Sequence, residues 1–314
     1  MHAVTIVDGQ LDWREHPDPE PGTGEVLVEV RAAGLNGADR LQVAGHYPVP
    51  PGAPADIPGL ELAGEVSALG PGCTRFGVGD RVMAVVAGGG QAERAVVHER
   101  HLLPVPDDVP WDQAGGFPEV FTTAHDALFT QCGLQMGERV LVTGAAGGGG
   151  SAAGQLARAH GGVEGTPAGG QRPRADLAAP GSPGAPLPAV EAVDAGPHDV
   201  VLELVGAPNL GDDLATLAEG GRISVIGVGA GAKAELNLLA LMGKRARIHG
   251  STLRARSLED KADAARRVER HVVPLLAAGA LSVPVHATYE MSRAADAYGA
   301  FAAGGKLGKI VLTR

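Results

Sequence analysis

The sequence predicts an α/β protein in which a β-rich domain is interrupted by a doubly wound parallel sheet. Three observations predict it. Short apolar runs punctuated by glycine fill the first hundred residues, a strand leads into a glycine loop and a helix near residue 140, and a final strand-like run, KIVLT, closes the chain. The expected division is 1–120 with 253–314 for the β-rich domain and 121–252 for the inserted one.

In the first region Val26 to Val30 alternates apolar and acidic residues, Glu61 to Leu69 and Asp80 to Val86 are short apolar runs bounded by Gly, Pro or Asp, and Ala92 to Val97 with Pro104, Pro106 and Pro110 closes the region. These read as strands. Glycines at 59, 64, 70, 72, 77 and 79 are too frequent for helices, so a compact barrel or sandwich is expected. Ala114 to Leu134 then reads as one helix, with Pro118 early and Gly133 near its end. Glu138 to Thr143, Asp199 to Val205, Arg222 to Val228 and Ala246 to Gly250 are buried-strand runs alternating with helical stretches, the pattern of a parallel sheet. Ser257 to Ala278 is expected as a helix opened by a capping-box variant of Ser257 and Asp260, kinked at Pro274 and closed by Gly279. Tyr289 to Ala303 follows as helix, and Lys309 to Thr313 as strand.

Residues 161–188 break this pattern, with seven Gly and six Pro in 28 positions where a second parallel strand and its helix belong. Proline removes ladder donors and breaks helix interiors, so neither element is legible there. Two readings stand side by side: a flexible loop, or a shifted reading frame in a GC-rich gene.

Composition narrows the partners. The formal charge of −10 repels phosphate backbones and no basic block interrupts it, which argues against nucleic acid. A secretory leader and an apolar run of membrane-spanning length are both missing, so a cytoplasmic protein off the membrane is expected. Cys73 and Cys132, the only cysteines, are too few for a four-cysteine zinc site and read as small core residues.

The strongest motif lies between Val140 and Gly150, within which LVTGAAGGGG follows a strand and opens a small-residue helix. Inside a packed element each glycine costs roughly 0.5–1 kcal/mol relative to alanine, so four in a row need a backbone reason. Gly144, Ala145, Ala146, Gly147, Gly148, Gly149 and Gly150 are therefore candidates for a pyrophosphate cradle at a helix N-terminus. A site for NAD places an acidic residue at the end of the second strand. Glu164 is near that count but too early, whereas Arg172 and Arg174 could meet a 2′-phosphate, so NADPH is expected ahead of NADH. His98 and His101 lack further ligands in recognisable spacing and read as a solvated strand end. Arg266, Arg267 and Arg270, among Glu259, Asp260, Asp263 and Glu269, read as a paired, solvated helix face.

The segments AAGLNGADRLQVAGHYPVPPG, PGLELAGEVSALGPGC, FGVGDRVMAVVAGGGQAE, PEVFTTAHDAL and GKIVLT resemble the zinc-independent quinone oxidoreductases of the medium-chain dehydrogenase/reductase superfamily, in particular the tumour-suppressor-inducible ones. The resemblance runs over 1–160 and 190–314. It implies a GroES-like catalytic domain, a Rossmann-type nucleotide domain and a small-molecule quinone as hydride acceptor. Zinc-dependent relatives hold their metal with a GxCGxD-like and a Gly-His-Glu segment. Asn36 and Leu60 stand at the cysteine and histidine positions here and supply neither thiolate nor imidazole, so no zinc is expected. By matching motif positions, Asn36 and Thr123 are implied to orient and hydrogen-bond near the nicotinamide, Tyr47 to contact substrate or donate a proton, and Gly227, Val228 and Gly229 to approach the ring by main chain. Each has a plainer reading as a turn, loop or helix residue. The family resemblance also implies a homodimer joined at an edge strand, here Ala246 to Ser251. Two alternatives stay open, a reductase of activated C=C bonds in an enone or enoyl thioester, and an NADPH-binding protein with little catalysis.

Overall fold

A computed structural model describes residues 1–161, 163–164 and 196–314, and the chain divides into one unit of Met1–Thr122 with Leu253–Arg314 and another of Thr123–Thr252. Elements are labelled in chain order.

The first unit opens with a hairpin of β1 (His2–Val7) and β2 (Gln10–Glu15), turned by Asp8 and Gly9, both at positive φ. An Asp-Gly pair suits such a two-residue turn. Its main sheet contains β3 (Glu25–Gly34), β4 (Glu61–Leu69), β5 (Arg81–Val85), β6 (Arg94–His98), β7 (Leu102–Pro104), β13 (Val285–Glu290) and β14 (Lys309–Thr313), in the order β13-β14-β3-β4-β5-β7 with β6 also on β3. Strands β14 and β6 share one edge of β3, β14 beside Ala32 to Gly34 and β6 beside Glu25 to Glu29. Alternate residues Val26, Val28 and Val30 point inward to meet Leu62, Val66, Val82, Ile310 and Leu312 in one core. Gly64 has no room for a side chain, since a Cβ there would sit 2.0 Å from the Glu29 carbonyl oxygen.

Three helix expectations need correction. The run from Ala114 is not one helix: α2 (Trp111–Gly115) stops and α3 (Pro118–His125) restarts, followed by a π-helical turn over Asp126–Gln131. Proline disfavours helical geometry in the residue before it, and Gly115 is pinned against Ala32, where a Cβ would come within 2.5 Å. Likewise Pro274 does not kink one helix but starts a second, α8 (Val273–Ala277), after α7 (Leu258–His271). Tyr289 belongs to β13, whose alternating burial is that of a strand, and helix begins only at α9 (Ala294–Ala303). The Ser257 cap is as expected, its hydroxyl accepting from the Asp260 N–H at 3.1 Å. One further short helix, α1 (Gly37–Val43), precedes β4.

The second unit holds a parallel sheet, in the order β12-β11-β10-β8-β9 among the described residues. Its strands are β8 (Arg139–Val142), β9 (Val163–Glu164), β10 (His198–Glu203), β11 (Leu217–Val225) and β12 (Arg247–Gly250), with helices α4 (Gly148–Ala159), α5 (Leu210–Thr216) and α6 (Leu238–Gly243). Leu141, Val201, Leu214, Leu217 and Ile223 form its core. Arg222 grips Glu138 with both guanidinium nitrogens at 2.8 Å and bonds the Cys132 carbonyl, fastening β11 to the turn before β8. A second strand was not legible in the sequence, yet β9 pairs with Arg139 and Val140. Glu164, read from the sequence as too early to end the second strand, lies within β9 opposite Val140. Most of the anomalous stretch, including Arg172 and Arg174, lies outside the described residues.

Candidate functional site

The expected phosphate loop stands at the carboxyl end of β8. After Val142 the chain turns at Thr143, whose N–H and hydroxyl both reach the Leu202 carbonyl (3.0 and 3.4 Å) while its Oγ1 accepts from the Leu204 N–H at 2.8 Å. Gly144 has φ +64°, a conformation that favours glycine. Gly147 is the N-cap of α4, and a Cβ on Gly150 would lie 2.3 Å from the Ala145 Cα. The loop is thus folded tightly onto the first helical turn. N–H groups of Gly148, Gly149 and Gly150 occupy that turn, where α-geometry gives them no intrahelical acceptor. No acidic residue lies in that turn to offset the positive end of the helix dipole.

A second loop lies beside the first. Glu203, fully buried at the end of β10, accepts from the N–H groups of Val205 (2.5 Å) and Gly206 (2.6 Å) and from Asn209 Nδ2 (3.2 Å). Its backbone carbonyl accepts from Ile226 and Gly227, and Val205 and Ala207 bond Ala230 and Gly231. Gly227 could carry no side chain, because a Cβ would meet the Leu204 carbonyl oxygen at 2.1 Å. Gly227, Val228 and Gly229 are therefore fixed at the carboxyl ends of β10 and β11, on the side of the sheet that carries the glycine loop. Ligands of open parallel sheets lie outside these strand ends. Asp213 packs against Glu203; burial first, then the hydrogen bond to Glu203, pushes its carboxyl up to about 8. Thr123, half-buried in α3, belongs to this unit.

Asn36 and Tyr47 lie in the other unit. Asn36 is the N-cap of α1, and Asp39 reaches back to accept from its N–H at 2.8 Å. Burial pushes the Asp39 carboxyl up to about 7 against the pull of that N–H and of Lys309. The Asn36 side chain enters a buried group that sequence reasoning missed. Its Oδ1 accepts from Lys309 Nζ at 2.8 Å and its Nδ2 donates to Glu61 Oε1 at 2.9 Å, while Lys309 and Glu61 pair at 2.5 Å. The one available signal was Glu61 following Leu60 in the Gly-His-Glu position. Tyr47 is half-buried in a loop; its carbonyl accepts from Arg254 and its ring lies 4.6 Å beneath that guanidinium. Arg254, also missed, further bonds Gln42 of α1 and the Ala87 carbonyl.

The histidine pair is not simply solvated. His98 Nδ1 accepts from Arg100 N–H, and His101, half-buried, contacts the Leu258 carbonyl at 3.1 Å. The arginine face of α7 is also more than solvent-facing, since Arg266 reaches the carbonyls of Arg100 and Leu102. Cys73 and Cys132 are free thiols, half-buried and buried, and burial pushes Cys132 up to about 11. Among the described residues no cluster of three or more His, Cys, Asp or Glu could hold a metal, and no helix is long and apolar enough to cross a membrane.

The alcohol dehydrogenase GroES-like domain family matches residues 22–107, and the family described as zinc-binding dehydrogenase matches 185–312. Quinone oxidoreductase of Rattus norvegicus is 31% identical over 306 residues, which covers 94% of this chain and 90% of that protein. The synaptic vesicle membrane protein VAT-1 homolog-like of Mus musculus is 40% identical over 138 residues; the match covers 44% of this chain and only 33% of that longer protein. A mycobacterial quinone oxidoreductase superposes with a TM-score of 0.83 at 26% identity, and a mycobacterial protein complexed with NADPH with 0.85 at 24%; both cover 100% of each chain. The second likeness is one of fold. With GroES-like and Rossmann-type units and the near full-length match to the rat protein, the chain belongs to the quinone oxidoreductase family of the medium-chain dehydrogenase/reductases.

Proposed function

We propose that the protein is an NADPH-dependent reductase that passes a hydride to a quinone without zinc. The observation that carries this reading is the loop at Gly144–Gly150, where Gly147 caps α4, Gly150 is packed on Ala145 with no room for a side chain, and the N–H groups of the first helical turn have no intrahelical acceptor. That cradle fits a dinucleotide diphosphate. Gly144 to Gly150 would hold the diphosphate, and Gly227, Val228 and Gly229 would line the nicotinamide by main chain. When bound, the dihydronicotinamide supplies a hydride, which with one proton from water takes a quinone to its hydroquinone.

The protein's own residues bind, orient and exclude water. Asn36 and Thr123 are assigned to hydrogen-bonding near the ring and the acceptor oxygen, and Tyr47, held by Arg254, to the acceptor. The donor set argues against zinc: Asn36 and Leu60 replace a thiolate and an imidazole, and the neighbouring Lys309 ammonium already neutralises Glu61. A dication placed there would meet a fixed positive charge. A quinone accepts hydride without Lewis-acid help, which agrees with this chemistry.

NADH is the second reading of the cofactor, favoured by an acidic residue, Glu164, in the second strand of the nucleotide fold. A homodimer joined through β12, the sheet's edge, is part of the proposal. The test compares oxidation of NADPH and of NADH with a quinone and with an enone. Faster quinone turnover with NADPH supports the reading; faster enone turnover transfers the assignment to C=C reduction, and binding without turnover to a nucleotide-binding protein.

A further inference from the structure

The group around Glu61 is built with more care than a structural tie requires. Lys309 and Glu61 are 3% and 0% exposed, and taking two charges out of water is costly where apolar residues of the same volume would serve. Gly34 makes room for the carboxylate, since a Cβ there would lie 2.3 Å from Glu61 Oε1. The topology brings the parts together: β14 runs antiparallel to β3, the Leu35 N–H bonds the Ile310 carbonyl, and Lys309 therefore arrives beside Asn36.

Nearly every polar atom of the group is committed. Lys309 Nζ donates to the Leu35 carbonyl (3.0 Å), to Asn36 Oδ1 and to Glu61 Oε1. Glu61 Oε2 accepts from the Glu119 N–H at 2.9 Å. The Asn36 amide consequently has one orientation. Turning it over would set its NH2 against an ammonium and its carbonyl against a carboxylate. With Oδ1 facing Lys309 and one Nδ2 hydrogen on Glu61, the second hydrogen has only the Gly34 carbonyl, at 3.4 Å, beyond an ordinary bond. An ammonium on the amide oxygen also polarises the amide and strengthens that remaining N–H as a donor.

We propose that Lys309 is a positioning residue, which through Glu61 and its own bond to Asn36 Oδ1 presents a polarised Asn36 N–H to the oxygen of the hydride acceptor. The proposal rests on the placement of Asn36 under the proposed function. As hydride arrives, negative charge gathers on that oxygen, and a donor fixed beforehand stabilises it without reorganising. The fixed cation acts at one remove, through an amide.

The test uses the full chain as K309M, K309R and the double variant K309M/E61Q, the last removing both charges in case K309M alone fails to fold. Expected for the folded charge-deleted variants is a fall in kcat of tenfold or more with KM for NADPH within twofold of wild type, while K309R keeps at least a third of kcat. A second readout needs no turnover: with 15N-asparagine labelling, and Asn36 assigned by its loss in N36D, the Asn36 side-chain proton bonded to Glu61 should exchange at least tenfold faster in K309M/E61Q than in the wild type. Wild-type kcat in the folded double variant, or unchanged exchange of that proton, overturns the positioning role. Failure of the wild type to bind NADPH removes the reading beneath it, an outcome told apart from the others by titrating cofactor first.

Discussion

Gly150 makes the sharpest residue-scale prediction. A valine there sets its Cβ against Ala145, 2.3 Å from Cα, so the loop must open and its N–H groups lose their common direction. NADPH affinity should fall at least tenfold, about 1.4 kcal/mol, in a fluorescence titration of the folded variant. Arg222 tests stability alone. Its bidentate pair with Glu138 is largely buried, and Arg222→Ala leaves that carboxylate without its cation, bonded by the Gln135 N–H, and the Cys132 carbonyl without the guanidinium donor. A loss of about 3 kcal/mol in urea unfolding is expected. Residues of this kind differ in how far the sequence betrays them. The glycine loop is legible because every part of it is local. Glu61 and Lys309 are not, because 248 positions separate them and only the register of β14 on β3 joins them. In sequence, Lys309 looks like the polar start of a strand.

At the scale of elements, the carboxyl ends of β10 and β11 depend on a buried acid pair. Asp213 is raised to about 8 by burial and by its hydrogen bond to Glu203, well above an unfolded aspartate near about 3.9. The folded state therefore holds this proton more tightly, and its contribution to stability is fully present below the unfolded pKa and lost as pH rises toward 8. Urea unfolding between pH 5 and pH 8.5 should show that decline in the wild type and a flatter profile in Asp213→Asn, whose amide cannot ionise. Elements written by simple periodicity were read well, β4 at Glu61–Leu69 and β14 at Lys309–Thr313 among them. Those set by packing were not. The break between α2 and α3 follows from the close approach of Gly115 to Ala32, and α8 restarts at a proline that looked like a kink. The hairpin at Asp8-Gly9 is carried by an Asp-Gly pair, a local turn signal present in the sequence.

For the whole molecule, the first unit is built from both ends of the chain, and β14 lies between β13 and β3 inside its main sheet. Removing residues 305–314 should unfold that unit, leaving buried Glu61 without its cation and Ala32 to Gly34 of β3 without the strand beside them; loss of near-UV circular dichroism and of soluble yield would register it. Charge, glycine loop and family segments made the class of the protein legible at this scale. The choice of cofactor was not, because it hangs on the end of β9 and on Arg172 and Arg174 beyond the described residues. What the account requires above all is that main-chain donors at the start of α4 hold a dinucleotide. The most direct measurement is a fluorescence titration of the intact protein with NADPH and with NADH. Saturable binding, stronger for NADPH and weakened at least tenfold by Gly150→Val, is the predicted result; no affinity for either nucleotide in folded protein would contradict it.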